Sequence, residues 1–272
     1  MTEAPQRTQT WKLTVAYDGT DYAGWQVQPD LPTVQGELAN AIFRVVGEQV
    51  LPQGAGRTDA GVHADGQVAS FSIRASIPPD NLQRALNRVL PQTIRILQAE
   101  PAAENFHARH SACAKTYIYT LYCGENCHPK FARYVYPVSF SLSLEAMQRA
   151  AVLVVGEHDF ASFAASSPDL AARTDEGASN PVSVRRVFSS SWAVLDEDRL
   201  QYRIRGNAFL HHMVRNLVGT FIEIGRGRLR PDDVPAILAK RDRSAAGPTA
   251  PAQGLSLQHV EYARYDGETT AK

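Results

Sequence analysis

The order of apolar patterning predicts an α+β protein of two units, each running strand, helix, strand, strand, helix, strand. Two observations carry this. Segments that alternate apolar and polar residues, the period of a half-buried strand, bracket segments whose apolar residues recur three and four apart, the period of a helix face. The second half of the chain then repeats the plan of the first. That order is the split βαβ, or ferredoxin-like, unit.

In the first unit, Trp11 to Tyr17 alternates and reads as a strand. Thr33 is placed to cap a helix through Val46, with Val34, Leu38, Ile42 and Val45 on one face. Gln49 to Gly56 and Gln67 to Ile73 read as the second and third strands. Pro79 suits the first turn of a helix through Val89, with Leu82, Ala85, Leu86 and Val89 facing inward. Ile94 to Ala99 is the fourth strand. Pro101 to Ala114 has no firm period and reads as a linker.

In the second unit, Thr116 to Cys123 is a strand carrying Tyr117, Tyr119 and Leu121 on one face. Ser143 can cap a helix reaching about Val155. Val184 to Leu195 and Leu200 to Gly206 are strands joined at the acidic turn Asp196-Glu197-Asp198. Phe209 to Ile224 is the most strongly patterned helix, with Gly225 placed to end it. Pro231 can start another helix ending near Lys240, and Leu255 to Tyr262 closes as a strand. Ala164 to Pro181, rich in Ser, Pro, Asp, Gly and Asn, reads as an exposed, mobile loop. The expected division is a tail at 1–10, one domain at 11–105, a second at 106–265 with an insertion at about 164–183, and a tail at 266–272.

Composition bounds the function. At 272 residues and 44% hydrophobic, the chain can bury one large core or two smaller ones. It has no apolar run long enough to span a bilayer, and Met1 to Thr10 is polar, so no membrane contact and a cytoplasmic location are expected. Cys113, Cys123 and Cys127 are too few and odd in number for a disulfide framework. Cys123-x-x-x-Cys127-His128 has no second ligand pair at zinc-like spacing, so these are read as ordinary thiols and no metal is expected. The formal net charge is zero. A nucleic-acid surface would need segregated charge, for which Arg185-Arg186, the run Arg226, Arg228, Arg230 and the group Lys240, Arg241, Arg243 are available; solvated helix faces are the alternative.

The stretch Gly56-Arg57-Thr58-Asp59-Ala60-Gly61-Val62-His63-Ala64 is polar, bounded by glycines, and lies between the second and third strands. Asp59 there is either a turn residue capping backbone N–H groups or a carboxylate held for chemistry. Arg215 is either an exposed helix arginine or, with Val214 and Leu217 beside it, a guanidinium at a buried edge. Tyr117 is either a core tyrosine or the wall of a site. A lone loop histidine such as His63 is read as structural.

The whole nine-residue string closely resembles the signature of the tRNA pseudouridine synthase A family. Tyr17-Asp18-Gly19-Thr20-Asp21-Tyr22-Ala23-Gly24-Trp25-Gln26, Lys115-Thr116-Tyr117 and His211-His212-Met213-Val214-Arg215-Asn216 agree in order and spacing, and the likeness runs from about Trp11 to Tyr262. It implies that the two antiparallel sheets merge and leave a catalytic cleft between the units. It implies Asp59 as the catalytic carboxylate, Arg215 as the cleft arginine, Tyr117 against the substrate base, and Arg57 helping to extrude the nucleotide and hold its phosphate through its fork of donors. It implies conversion of uridine to pseudouridine at positions 38, 39 and 40 of the tRNA anticodon arm, by a homodimer. The reaction exchanges no electron or group with an outside molecule, so no cofactor is expected. The base must leave its stack, and positive charge grows at the sugar C1′ as the N-glycosidic bond breaks, where an ionised carboxylate helps. Asp59 could attack the sugar, attack the base, or remove a proton in an elimination.

Two other readings compete. A non-catalytic RNA-binding protein of two ferredoxin-like modules fits the pattern but gives Asp59 no task. An aspartic protease would need a second Asp-x-Gly to share a proton with Asp59-Ala60-Gly61, and none stands in a matching hydrophobic setting.

Overall fold

The structure, a computed structural model, describes residues 8–165 and 183–263. Most of the 164–183 segment, residues 1–7 and the expected tail at 266–272 therefore lie outside the described residues, while Gln9 and Thr10, expected in the N-terminal tail, are already strand because they pair with Ile73 and Ser72. The first unit comprises β1 (Gln9–Tyr17), α1 (Val34–Val46), β2 (Gln53–Gly54), β3 (His63–Ile73), α2 (Pro79–Val89) and β4 (Ile94–Ala102). The second comprises β5 (Ala112–Tyr122), α3 (Pro129–Ala132), β6 (Tyr136–Pro137), α4 (Leu144–Val152), β7 (Gly156–Asp159), β8 (Val184–Val194), β9 (Arg199–Gly206), α5 (Met213–Gly225), α6 (Val234–Lys240) and β10 (Leu255–Tyr262).

The ten strands of the described residues form one sheet in the order β4-β1-β3-β10-β5-β9-β8-β7, with β2 on β3 and β6 on β5. Within it, β10-β5-β9-β8 is the full strand order of a ferredoxin-like unit, and β4-β1-β3 is three quarters of another. The place of the missing quarter explains the merger. The strand expected over residues 49–56 shrinks to Gln53–Gly54, paired with Ser70 and Ala69. Pro52 lacks the N–H a ladder needs, and Gly54 and Gly56 weaken the rest of the segment as a strand. The free stretch of β3 is taken instead by β10, through the parallel pairs Ser256–His63 and Leu257–Ala64.

Other boundaries differ from the expected ones for local reasons. β3 begins at His63 rather than Gln67, because Ala64 pairs with Tyr17 on one side and Leu257 on the other. α5 begins at Met213 rather than Phe209, because His212 is left-handed, with φ 61°. α4 stops at Val152, and Pro231–Asp233 is a 3₁₀ turn ahead of α6. Thr33 and Ser143 cap α1 and α4 as expected, each accepting an N–H from three residues on.

Tyr119 on β5 stands opposite Tyr202 on β9, and the Tyr202 ring lies 5.3 Å from Phe221 of α5. The β5 face that carries Tyr119, and by alternation Tyr117 and Lys115, is therefore the face that α5 covers. All three aromatics are fully buried.

Candidate active site

Asp59 is positioned by residues that pin the backbone around it. Tyr17 and Thr58 share a hydrogen bond of 2.8 Å, and Trp25 N–H donates to the Thr58 carbonyl. The Gln67 amide grips both sides of the Gly56 backbone, accepting from its N–H and donating to its carbonyl. Gly61 N–H donates to the Tyr22 carbonyl. Burial pushes the Tyr17 phenol up to about 12, so this fastener stays protonated at neutral pH.

With its backbone held, the Asp59 side chain caps nothing in its own turn. It crosses to the second unit, where Arg215 Nη1 donates to Oδ2 at 2.7 Å. His211 Nε2 lies 3.2 Å from Oδ1 and His212 Nε2 lies 3.4 Å from Oδ2. Asp59 and Arg215 have side-chain exposures of 17% and 15%, so the pair sits at the edge of the interior rather than on open surface. Arg215 is itself fixed, since its Nε donates to the Ala250 carbonyl at 2.8 Å while Ala250 N–H returns a bond to the Arg215 carbonyl. The left-handed His212 turns the chain just before α5, a conformation that costs a non-glycine residue about 1 kcal/mol. Burial above all, then the charges of His211, Arg215 and Arg243, hold the His212 ring below its ordinary pKa against the pull of Asp59, so it is neutral at pH 7.

Tyr117 is 7% exposed and meets Phe209 edge to face at 5.1 Å. Burial, followed by Tyr17 and Asp59, raises its hydroxyl above the ordinary phenol value, so it remains a neutral aromatic wall. A Cβ placed on Gly56 would lie 3.4 Å from the Tyr117 hydroxyl and 3.8 Å from Lys115 Nζ, so both residues border the Asp59 loop. Arg57 is exposed at the mouth of that loop. The structure thus brings Asp59, Arg215 and Tyr117 together, while Arg57 is exposed two residues before Asp59. His63 is structural, as its setting predicts. It is buried, its Nδ1 accepts from Gly19 N–H, and its Nε2 meets the Arg133 carbonyl.

Sequence reasoning missed the roles of His211, His212 and Lys115. The available signal was spacing: His211 and His212 precede Arg215 by four and three residues, so one helical turn can present all three to one partner. Among the described residues, Asp59, His211 and His212 could together hold a metal ion, their ligand atoms lying within 4.8 Å of one another. Arg215 already supplies positive charge to Oδ2 at 2.7 Å, and a dication beside it would be repelled. A separate cavity of about 480 Å³ opens on the other face of β5, bordered by Ile118, Thr120, Phe131 and Tyr134, and none of Asp59, Tyr117 or Arg215 lines it.

Residues 13–111 and 150–263 match the family described as tRNA pseudouridine synthase. The tRNA pseudouridine synthase A of Moorella thermoacetica is 47% identical over 253 residues, which cover 92% of this chain and 98% of the relative. That of Solibacter usitatus is 48% identical with the same coverage, and tRNA pseudouridine synthase A 1 of Desulfotalea psychrophila is 41% identical over 251 residues.

Proposed function

The chain belongs to the tRNA pseudouridine synthase family, and from that premise we propose that it acts on the anticodon arm, at positions 38, 39 and 40, through Asp59. The enzyme isomerises uridine to pseudouridine in tRNA. The bond from C1′ to N1 breaks, a bond from C1′ to C5 forms, C5 loses a proton and N1 gains one. In our reading the Asp59 carboxylate faces the sugar and stabilises the positive charge that develops at C1′. Arg215 holds one carboxylate oxygen in place. Tyr117 walls the detached uracil so that it turns without escaping. Arg57 grips a phosphate at the rim, which favours the extruded nucleotide. The chain works as a homodimer in the cytoplasm.

The observation that carries this reading is the Asp59–Arg215 contact of 2.7 Å between the loop of one unit and the helix of the other. A turn aspartate would bond to its own loop, whereas this one is aimed into the cleft. The test is Asp59→Asn, which keeps the shape and removes the charge. Pseudouridine formation in unmodified tRNA should fall below detection while tRNA binding stays within a few-fold of the parent. An Asn variant with the parent's turnover ends the assignment. Mapping the product bases in the same reaction tests positions 38 to 40, and sedimentation of the free enzyme tests the dimer.

A further inference from the structure

We propose that Lys115 forms the floor of a phosphate-binding subsite in the cleft, which receives a backbone phosphate of the tRNA beside the extruded uridine. The proposal rests on the tRNA-modifying activity and adds to it a ligand for a residue with no assigned task.

Lys115 is two residues before Tyr117 on β5, so the two side chains leave the same face of the strand. Both approach Gly56 of the Asp59 loop. Lys115 is only 8% exposed. Among the described residues it has neither a hydrogen-bond acceptor nor a carboxylate partner. A buried ammonium without either is costly, and such groups are ordinarily paired. Two cations act on it, the exposed Arg109 from the segment between β4 and β5, and Arg185 at the start of β8. Its register partners, Gly206 on β9 and Val260 on β10, carry no charge. Burial first, then Arg109 and Arg185, bring the Lys115 ammonium down to about 8.

A compact, nearly buried ammonium beside the Asp59 loop, with no acceptor of its own among the described residues, calls for an anion from outside. The substrate carries one phosphate per nucleotide. An ammonium is a point charge that accepts a phosphate oxygen from several directions, which suits a phosphodiester arriving as the nucleotide swings out. Arg57 is exposed and Lys115 nearly buried, so each can hold a different phosphate.

The test is calorimetric titration of unmodified full-length tRNA into the parent, Lys115→Met and Lys115→Arg at pH 8.5, in two buffers of different ionisation enthalpy. A phosphate at Lys115 raises its proton affinity, so the parent should take up a fraction of a proton on binding. Lys115→Arg, charged throughout, should bind like the parent with that uptake gone. Lys115→Met should also take up none, should bind about tenfold more weakly at pH 7, and should lower the slope of log affinity against log salt by about 0.7 to 0.9. The proposal is overturned if parent and Lys115→Arg take up the same number of protons, or if Lys115→Met keeps the parent's affinity and salt slope. Should the Met variant not fold, the comparison of parent with Lys115→Arg decides alone. Product mapping on the same tRNA keeps the wider reading separate. Pseudouridine outside the anticodon arm would overturn the assigned positions and leave the proton count unchanged.

Discussion

Asp59 gains its geometry from residues that never touch it. Tyr17, Trp25, Gln67 and Tyr22 fix the backbone of its loop, and only then does its carboxylate have one direction left, toward Arg215 and the two histidines. Lys115 shows what a binding residue costs the free protein. Its ammonium titrates near 8 when folded and near the ordinary 10.5 when unfolded. Between those values the unfolded chain binds more protons, so stability rises with pH through that window. Below pH 8 the full penalty applies, about 3 kcal/mol from the width of the window. Lys115→Met removes the charge and keeps the stem. The Met variant should therefore be more stable than the parent at pH 7, by about 1–3 kcal/mol, and the gap should close as pH approaches 10. Urea unfolding of both proteins at pH 7, 8, 9 and 10 measures it. A gap that is absent at pH 7, or that does not change with pH, means that Lys115 carries no such penalty.

At the scale of elements, the long periodic segments were legible and the short irregular ones were not. α1 and α2 were readable to the residue because Thr33 and Pro79 mark their starts and their apolar spacing is regular. The strand over residues 49–56 was read too long because Pro52 and the glycines at 54 and 56 confine its ladder to Gln53–Gly54. The start of α5 was misplaced because nothing local announces a left-handed histidine. Asp59, Tyr117 and Arg215 were singled out through a resemblance spanning three separate motifs, since the spacing of any one of them allowed a bland role. His211, His212 and Lys115 take their meaning from tertiary neighbours. The packing of α5 on the loop before β10 is one such case. A Cβ on Gly219 would stand 1.6 Å from the Pro248 carbonyl oxygen, while Ala250 of the same loop holds Arg215 Nε. At an unhindered helix position Gly→Ala stabilises by about 1 kcal/mol. Here the sign should reverse. Gly219→Ala should destabilise by about 2 kcal/mol and lower kcat, because the displaced loop no longer orients the guanidinium. Thermal unfolding gives the sign at once, and a stabilised Gly219→Ala enzyme would show that α5 and the loop are not in close contact.

At the scale of the molecule, the net charge of zero is also local. The run Arg226, Arg228 and Arg230 is matched by Glu223 and Asp233, Arg241 by Asp159, and Arg243 is spent on Asn216, Thr249 and nearby carbonyls. These arginines are thus paired within the second unit, whereas Lys115 has no carboxylate partner among the described residues. The cleft exists only while the two sheets stay joined, and the join is short. In the ladder it consists of the parallel pairs Ser256–His63 and Leu257–Ala64 with a hydrogen bond of 2.8 Å from Ser256 to Asp65, and side chains add to it where His63 meets the Arg133 carbonyl and the Tyr134 hydroxyl donates to Asp18. Gly66 sits where the two backbones pass close together, since a Cβ there would be 2.6 Å from the Gln258 carbonyl oxygen. That neighbour is backbone and has no rotamer to give, so Gly66→Ala must push β10 away from β3. Most of the core, which is continuous across both units, stays packed, but Asp59 belongs to one unit and Arg215 to the other. The variant should therefore lose far more activity than stability, with kcat down at least tenfold and unfolding free energy down by about 1–3 kcal/mol. Ser256→Ala removes one exposed hydrogen bond without moving backbone and should stay within about 0.5 kcal/mol of the parent, with near-parent kcat. Single-turnover rates and urea unfolding of both variants decide the matter. Parent-like turnover by Gly66→Ala would mean that the strand join does not set the distance between Asp59 and Arg215.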